Sequence, residues 1–470
     1  MVNRQPALPA FPCWSKTLLL LFVMALAIPA LGGAQASDPL VEQLKNSDAD
    51  SRAKAAREIG KSDDRAALPA LEGALRDPSD KVRREVVMAL ASFRQPEALD
   101  ILITATRDSN PDVRELVVES LVGYYTGQAP TPGFTGFLKR GAHAAKSIFS
   151  DEDMARIDPG VRVEPKVIEA LVAVMQDTGS IQPAREAARG LGVLVAQPAV
   201  PQLVKAAHSL DPDLARGALN ALSKIKDTSA GPELVDLLDS PNNDVKQDAA
   251  ETVGILRTHA ALPKLQTMYD KDRDKKNREI ALQGLAYIGD PVSDPVFLKA
   301  LWSDNKRYRA LGAEGLGRAR DTPAIPEIEK ALGAEKDADA RLAMRYALAN
   351  MDRQNDLQAL VDALGSTLHG DVAQAYLIEL CRDPKFLPKL YPYASSGNAT
   401  VRKRLCTVLV FTGDETSFEP LDRLSHDKNN DVAIEALRAL RAVRARQAKS
   451  ASASSRGAFS SAGRLGISVT

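Results

Sequence analysis

Between residues 38 and 445 the apolar residues recur at helical spacing in blocks of about 31 residues, and each block carries two such patterns. The first pattern opens near a proline. Pro201, Pro232, Pro263, Pro295, Pro326, Pro388 and Pro420 stand 31, 31, 32, 31, 62 and 32 residues apart, with Leu357 in the one vacant slot and Pro69 in the same slot upstream. The segments read ALPAL from Ala67, AVPQLV from Ala199, AGPELV from Ala230, ALPKL from Ala261 and AIPEI from Ala324. A proline in the first turn of a helix forfeits no hydrogen bond, because the first N–H groups have no partner inside the helix.

About thirteen residues later comes a second signal: an Asp, Asn or Thr, then Val and usually a basic residue. It appears as Asp80-Lys81-Val82-Arg83, Asp112-Val113-Arg114, Asp244-Val245-Lys246, Thr400-Val401-Arg402 and Asp431-Val432. The polar residue is expected to cap a second helix. The apolar positions that follow, such as Val82, Val86, Ala89, Leu90 and Phe93, have the helical period, and Gly60, Gly289 and Gly413 stand where a helix stop is expected. Each block is therefore a helix–turn–helix unit. One such hairpin cannot bury its apolar face alone, so neighbours must stack. The expected fold is all-α, an α-solenoid of about twelve hairpins starting near residues 38, 66, 98, 166, 198, 230, 261, 293, 324, 356, 385 and 417. At one helix spacing of ~8–10 Å per unit it would form a curved rod on the order of 100 Å long.

The proline-led first helix and the Asp-Val-Arg opening of the second resemble HEAT repeats, in particular the short HEAT-like repeats of the phycobilisome lyase family. The resemblance spans residues 37–125 and 166–446. It implies a ladder of Asp and Arg side chains bridging successive units, which assigns Asp80, Arg83, Asp112, Arg114, Asp213 and Arg216 a structural role. It also raises enzymatic precedents. Deoxyhypusine hydroxylase holds two irons with His-Glu pairs, and phycobilisome lyases attach or remove bilins. The five histidines here are followed by Ala144, Ser209, Ala260, Gly370 and Asp427, so no His-Glu pair exists. The bilin reading has no motif to check.

The period breaks once, over residues 126–165. That stretch holds Pro130, Pro132, Gly127, Gly133 and Gly136, two aromatics (Phe134, Phe137), a basic cluster (Lys139, Arg140, His143, Lys146) and the acidic run Asp151-Glu152-Asp153. Insertions in solenoids project from one face, often the binding face. Phe134, Phe137, Lys139, Arg140 and His143 are accordingly candidate partner-binding residues, against the alternatives of a tether or a plug over the solenoid's own groove. Trp302, Tyr308 and Arg309 form a second candidate contact group, because Trp, Tyr and Arg dominate interface hot spots; the alternative is an anchored interhelix turn.

Composition narrows the function without naming it. Aromatics are only 5%, which suits helices packed closely through small aliphatic residues. Lys plus Arg and Asp plus Glu are both 61; removing Arg4 and Lys16 with the first 36 residues leaves 59 against 61. That balance gives no reason to expect a nucleic acid partner. From Ala436 to Thr470 there are seven basic and no acidic residues, and residues 447–470 are rich in Ser, Ala and Gly, so a disordered basic tail able to touch an anionic envelope surface is expected. Residues 1–36 combine a basic start, an apolar run from Thr17 to Ile28 and a closing Ala34-Gln35-Ala36, the parts of a secretory signal peptide cleaved before Ser37. An uncleaved anchor is the alternative, although the run is shorter than the ~20 residues a spanning helix needs.

No H-E-x-x-H, C-x-x-C, G-x-S-x-G or phosphate-loop motif occurs. Gly190-Leu191-Gly192 and Gly315-Leu316-Gly317 read as sites of close helix packing. Cys381 and Cys406 read as two buried thiols. These features point to an exported, non-enzymatic scaffold with a protein partner and no cofactor or metal. The alternatives are a HEAT-like enzyme or cofactor-binding protein, bilin-lyase-like or oxidoreductase-like, and a structural component of the cell envelope.

Overall fold

The computed structural model describes residues 39–62, 64–127, 156–177 and 179–462, with side chains described to residue 448. Among these residues there are helices and turns and no strand, and they form twelve hairpins. The second helices are Ala49–Ser62, Asp80–Ser92, Pro111–Thr126, Ile181–Val193, Pro212–Ile225, Asn243–Ile255, Lys275–Ile288, Lys306–Ala319, Ala338–Asn350, Gly370–Leu380, Ala399–Thr412 and Asn430–Ala462. They pack side by side from one hairpin to the next, and each first helix lies against its own second helix. The recurring prolines sit in the first turn of the first helices, as in Leu68–Ala74, Val200–Ala207, Leu262–Lys271 and Ile325–Ala334. The first helix of the sixth hairpin, Thr228–Asp239, is 3-10 throughout and carries Gly231-Pro232 inside it.

The core is a continuous seam of Ala, Leu and Val from the first hairpin to the last. Burying one Leu or Val side chain stabilises by about 1.5–3 kcal/mol, and the seam repeats that contribution in every hairpin. Small residues set the spacing. A Cβ on Gly192 would lie 2.6 Å from the Ala221 Cα, and one on Gly317 would lie 2.6 Å from the Ala347 Cα. Those two glycines are therefore contact points between successive second helices, as the sequence suggested. Gly289 ends its helix with a left-handed φ of 63°. Gly60 and Gly413 do not act as left-handed stops: Gly60 lies inside the helix Ala49–Ser62 against Ala89, and Gly413 has φ −58°. Most second helices that end left-handed use a residue with a side chain, such as Lys226, Arg257 and Arg320.

At most of these sites the cap lies two residues upstream of the position expected, and Asp80 opens its helix behind Ser79. Asn110, Asn242 and Asn398 accept the N–H groups of Asp112, Asp244 and Thr400 at 2.8, 3.0 and 2.9 Å. Asp112 and Asp244 stand instead in the first helical turn, where a carboxylate is favoured by the helix dipole.

An Arg ladder does join successive hairpins, but its acids differ from those assigned from the resemblance. Arg83 donates to both oxygens of Asp108 at 2.7 and 2.9 Å, and to the Asp77 carbonyl at 2.9 Å. Arg52 makes the same pair with Asp77, Arg402 with Asp427 and Arg309 with Glu335. The ladder acid thus sits in the turn between the two helices, where it also accepts the N–H two residues on, as Asp108 does from Asn110. Asp80 serves a different bridge and accepts from the Asn110 side chain at 2.8 Å. Asp213 is a second acceptor for Arg185, at 3.1 Å, beside the ladder acid Asp211. Arg216 reaches Asp248 at 2.7 Å and Asp244 at 3.7 Å.

The second helices of the third and fourth hairpins, Pro111–Thr126 and Ile181–Val193, pack directly on each other, so the stack is continuous across the break in the period. The ladder is stretched there: Arg114 comes only within 3.7 Å of Asp177, and its buried Nε has no hydrogen-bond partner. Residues 128–155 lie outside the described residues. The chain re-enters as a strap, with Arg156 donating to the Lys224 carbonyl and the Ile157 N–H to the Val193 carbonyl. Asp158 accepts from Arg438 of the last hairpin, from Nε at 2.9 Å and from Nη2 at 2.5 Å. The winding is therefore tight enough for residues 280 apart in sequence to meet, which a gently curved rod would not allow. The last helix continues to Ala462, past residue 447 where a disordered tail was expected; residues 463–470 lie outside the described residues, as do residues 1–38.

Candidate functional site on the inner face

Hairpins that are not neighbours in the stack meet through their second helices, as Arg318 and Arg257 do with Glu379, so we take the second helices as the inner face; at two places that face gathers charge in opposite ways. Around the seventh to tenth hairpins the charges are matched. Arg318 donates to Glu379 at 2.7 and 2.9 Å, to Glu314 at 3.1 Å and to the Ala286 carbonyl at 3.2 Å. Its guanidinium lies 5.1 Å from the Tyr287 ring centroid and 5.5 Å from that of Tyr346. Tyr346 stacks on Tyr376 at 4.7 Å, and the Tyr376 hydroxyl donates to Glu314 at 2.8 Å. Arg257, from the sixth hairpin, approaches Glu379 of the tenth to 3.6 Å. Burial opposes the charge of both Arg318 and Glu379, yet their contact outweighs it, holding the guanidinium pKa well above its usual value and the carboxyl well below. This matched, buried network ties the sixth, seventh, eighth, ninth and tenth hairpins together.

At the third and fourth hairpins the charges are not matched. Glu115 and Glu119 are four residues apart on the helix Pro111–Thr126 and so share a face. Glu186 faces them from the helix Ile181–Val193, which comes close because it has Gly190 there: a Cβ at that position would lie 2.7 Å from the Val122 Cγ2. Glu119 is 9% exposed, and its Oε2 is buried without a hydrogen-bond partner. Burial first, and then the neighbouring Glu115 and Glu186, push its pKa up to about 8. Burial likewise raises Glu186, despite Arg189 at 2.8 Å, and Glu115. Arg84 stands near and lies 4.0 Å from Asp112.

The residues singled out from sequence fare differently. Phe134, Phe137, Lys139, Arg140 and His143 lie outside the described residues. Trp302 is 47% exposed, with the Lys330 ammonium 5.1 Å from its ring centroid. Tyr308 is half-buried against Tyr269, with ring centroids 6.3 Å apart. Arg309 is a ladder residue with Glu335 on one side and the Ser303 and Asp304 carbonyls on the other, so its guanidinium is occupied within the stack. Arg83 and Arg114 are buried and structural. Cys381 and Cys406 are buried free thiols, and burial pushes each up to about 12. The described histidines sit on separate hairpins, three of them facing an Asp of a neighbouring one: His208 with Asp236, His259 with Asp290 and His369 with Asp339. Among the described residues no group of three His, Cys, Asp or Glu is placed to hold a metal ion, and no helix is long and apolar enough to cross a membrane.

The acid group was missed in sequence because Glu115-Leu116-Val117-Val118-Glu119 reads as an ordinary solvated helix edge. Superposing the repeats would have exposed it. Arg84, Glu115 and Glu186 occupy one slot, directly after the ladder residues Arg83, Arg114 and Arg185.

The stacked hairpins and their ladder agree with the sequence comparison. The HEAT-repeat family matches residues 37–122, 168–254 and 200–286. These stretches are HEAT repeats. No curated protein matches the chain in sequence. Solved structures similar to the HEAT stack include an engineered protein at 18% identity, covering 86% of this chain and 98% of that one, with a TM-score of 0.37. The complex of CpcE and CpcF of phycocyanin lyase from Nostoc sp. is similar at 18% identity, over 56% and 94% of the two chains, with a TM-score of 0.36. Kap121p is similar at 13% identity over 85% of this chain, with a TM-score of 0.39; the match takes in 48% of its length.

Proposed function

We propose that this HEAT-repeat chain is an exported scaffold that binds a protein partner along its inner face at the third and fourth hairpins. The observation that carries this reading is the contrast between two stretches of that face. Where the Arg318 network lies, every charge has an opposite number inside the stack. Of Glu115, Glu119 and Glu186 only Glu186 has a cation in hydrogen-bond contact, Arg189, and one buried oxygen of Glu119 is unpaired. An uncompensated buried acid costs stability, and a partner that supplies the missing charge would recover it. Export rests on residues 1–36, with their basic start, short apolar run and Ala-x-Ala close.

The test is site-specific photo-cross-linking in cells. A photoreactive residue at Gln182, exposed one turn before Glu186 on the same helix, is expected to form an adduct with an envelope protein. The same group at Glu72, exposed on the first helix of the second hairpin, is expected to form none. Equal labelling from both positions, or from Glu72 alone, refutes the inner-face reading.

A further inference from the structure

The acid group at the third and fourth hairpins has a geometry that narrows the chemistry of its partner. Two carboxylates stand on one helix and a third on the next, so their oxygens approach from different directions. A guanidinium is a planar fork suited to one bidentate carboxylate, as the ladder pairs of this chain illustrate. An ammonium is a compact charge with three diverging N–H donors, suited to separate acceptors. The buried Glu119 Oε2 has no donor, and Glu115 beside it is half-buried, which leaves a way in from the inner face. Resting on the proposed scaffold function, we infer that Glu115, Glu119 and Glu186 form a receptor for a lysine side chain of the partner protein.

This assignment has a consequence that a generally acidic surface lacks. The charged groups that act on Glu119 are Glu115 on its own helix, Arg84 from the second hairpin and Glu186 from the fourth; Asp112 acts in turn on Glu115, and Arg189 and Arg185 on Glu186. With its carboxyl pushed up to about 8, Glu119 holds a proton at pH 7. An arriving ammonium stabilises the carboxylate, so that proton leaves to solvent as the ion pair forms. Binding then tightens as pH rises from about 6 to 8, by up to about tenfold per pH unit, and levels off above the folded pKa.

The experiment uses the full mature chain and a fluorescein-labelled peptide, acetyl-Lys-Ala-Lys-Ala-Lys-amide, with anisotropy at several pH values. Its lysine-acetylated and arginine homologues are the controls. Calorimetry at pH 7 in buffers of different ionisation enthalpy counts the protons released. Expected are saturable binding, release of about one proton, and at least about tenfold weaker binding by Glu119→Gln with loss of proton release. Glu115→Gln, at a half-buried position, should weaken binding without perturbing the fold, and covers the case in which Glu119→Gln alters folding. Unchanged affinity in both variants, equal binding of the acetylated peptide, or tighter binding of the arginine homologue overturns the lysine assignment. If Gln182 still cross-links a partner while those results are negative, only this inference falls. If Gln182 gives no adduct, the scaffold reading falls with it.

Discussion

Asp294 offers a way to test the physical reading of the stack itself. It opens the first helix of the eighth hairpin, in the slot that holds Leu68, Val200, Leu262, Ile325 and Leu387 in other hairpins. Leu68, Val200 and Leu387 are buried in that slot, whereas Asp294 puts a carboxylate there with its Oδ1 buried and unpartnered. Burial, then Asp321 and Asp290, raise its pKa from 3.8 to about 6. A carboxyl raised by two units opposes folding at pH 7 by about 3 kcal/mol if fully sequestered; for a partly exposed side chain roughly 1–2 kcal/mol is the appropriate figure. Between pH 3.8 and about 6 the native state holds the proton more tightly than the unfolded chain, so this contribution falls as pH rises through that window and stays fully unfavourable above it. Asp294→Asn should therefore stabilise by about 1–2 kcal/mol at pH 7 and by nothing at pH 3.5. Asp294→Leu should add about 1 kcal/mol of apolar burial at both. Trp302 stands at the end of the same helix and is the only tryptophan after residue 36, so the urea midpoint of its fluorescence reports this hairpin. A local probe matters because long repeat arrays need not unfold in one step. If the difference between Asp294→Asn and the parent chain is the same at pH 3.5 and 7, the carboxylate is not being held out of water.

Two further outcomes are expected. Arg83→Ala should destabilise the second and third hairpins by about 3–5 kcal/mol, since it strands the buried Asp108, and hydrogen exchange should localise the loss to that junction; uniform loss along the chain would contradict a nearest-neighbour stack. Export should leave Ser37 as the mature N-terminus, and N-terminal sequencing of native protein that finds Met1 or Val2 would refute the signal-peptide reading.

The sequence made the hairpins, their number and their all-helical character legible, because each rests on a period repeated many times. The glycine contacts at Gly192 and Gly317 were legible for the same reason. What failed were assignments within the turn. The turn Asp108-Ser109-Asn110-Pro111-Asp112 offers four polar side chains for two tasks, capping and ladder pairing, and periodicity does not say which residue takes which. Geometry gives the cap to Asn110 and the ladder to Asp108, leaving Asp112 in the helix. A clue was present: Asp77 and Asp108 precede Arg83 and Arg114 by six residues each. Burial of the inner face was not legible, since a polar residue facing inward looks the same in sequence as one facing water. The tight winding that brings Arg257 to Glu379 depends on small angles between hairpins, which no residue pattern encodes.

A repeat array settles into its regular form wherever successive units are alike, so departures from regularity identify positions under another constraint. Here three departures fall together at one junction. The period breaks after the helix Pro111–Thr126, the ladder is stretched at Arg114 and Asp177, and Glu119 is left with a buried unpaired oxygen. Each weakens the stack locally, whereas elsewhere in the array Arg52, Arg83 and Arg402 make close bidentate pairs. Stability conceded at one place in an otherwise consistent fold is the pattern expected of a binding site. The irregularity at Asp294 differs, since its hairpin keeps the period and Arg309 in the next helix keeps a close ladder pair with Glu335. That contrast makes the third and fourth hairpins, and not the eighth, the place to test for the proposed partner.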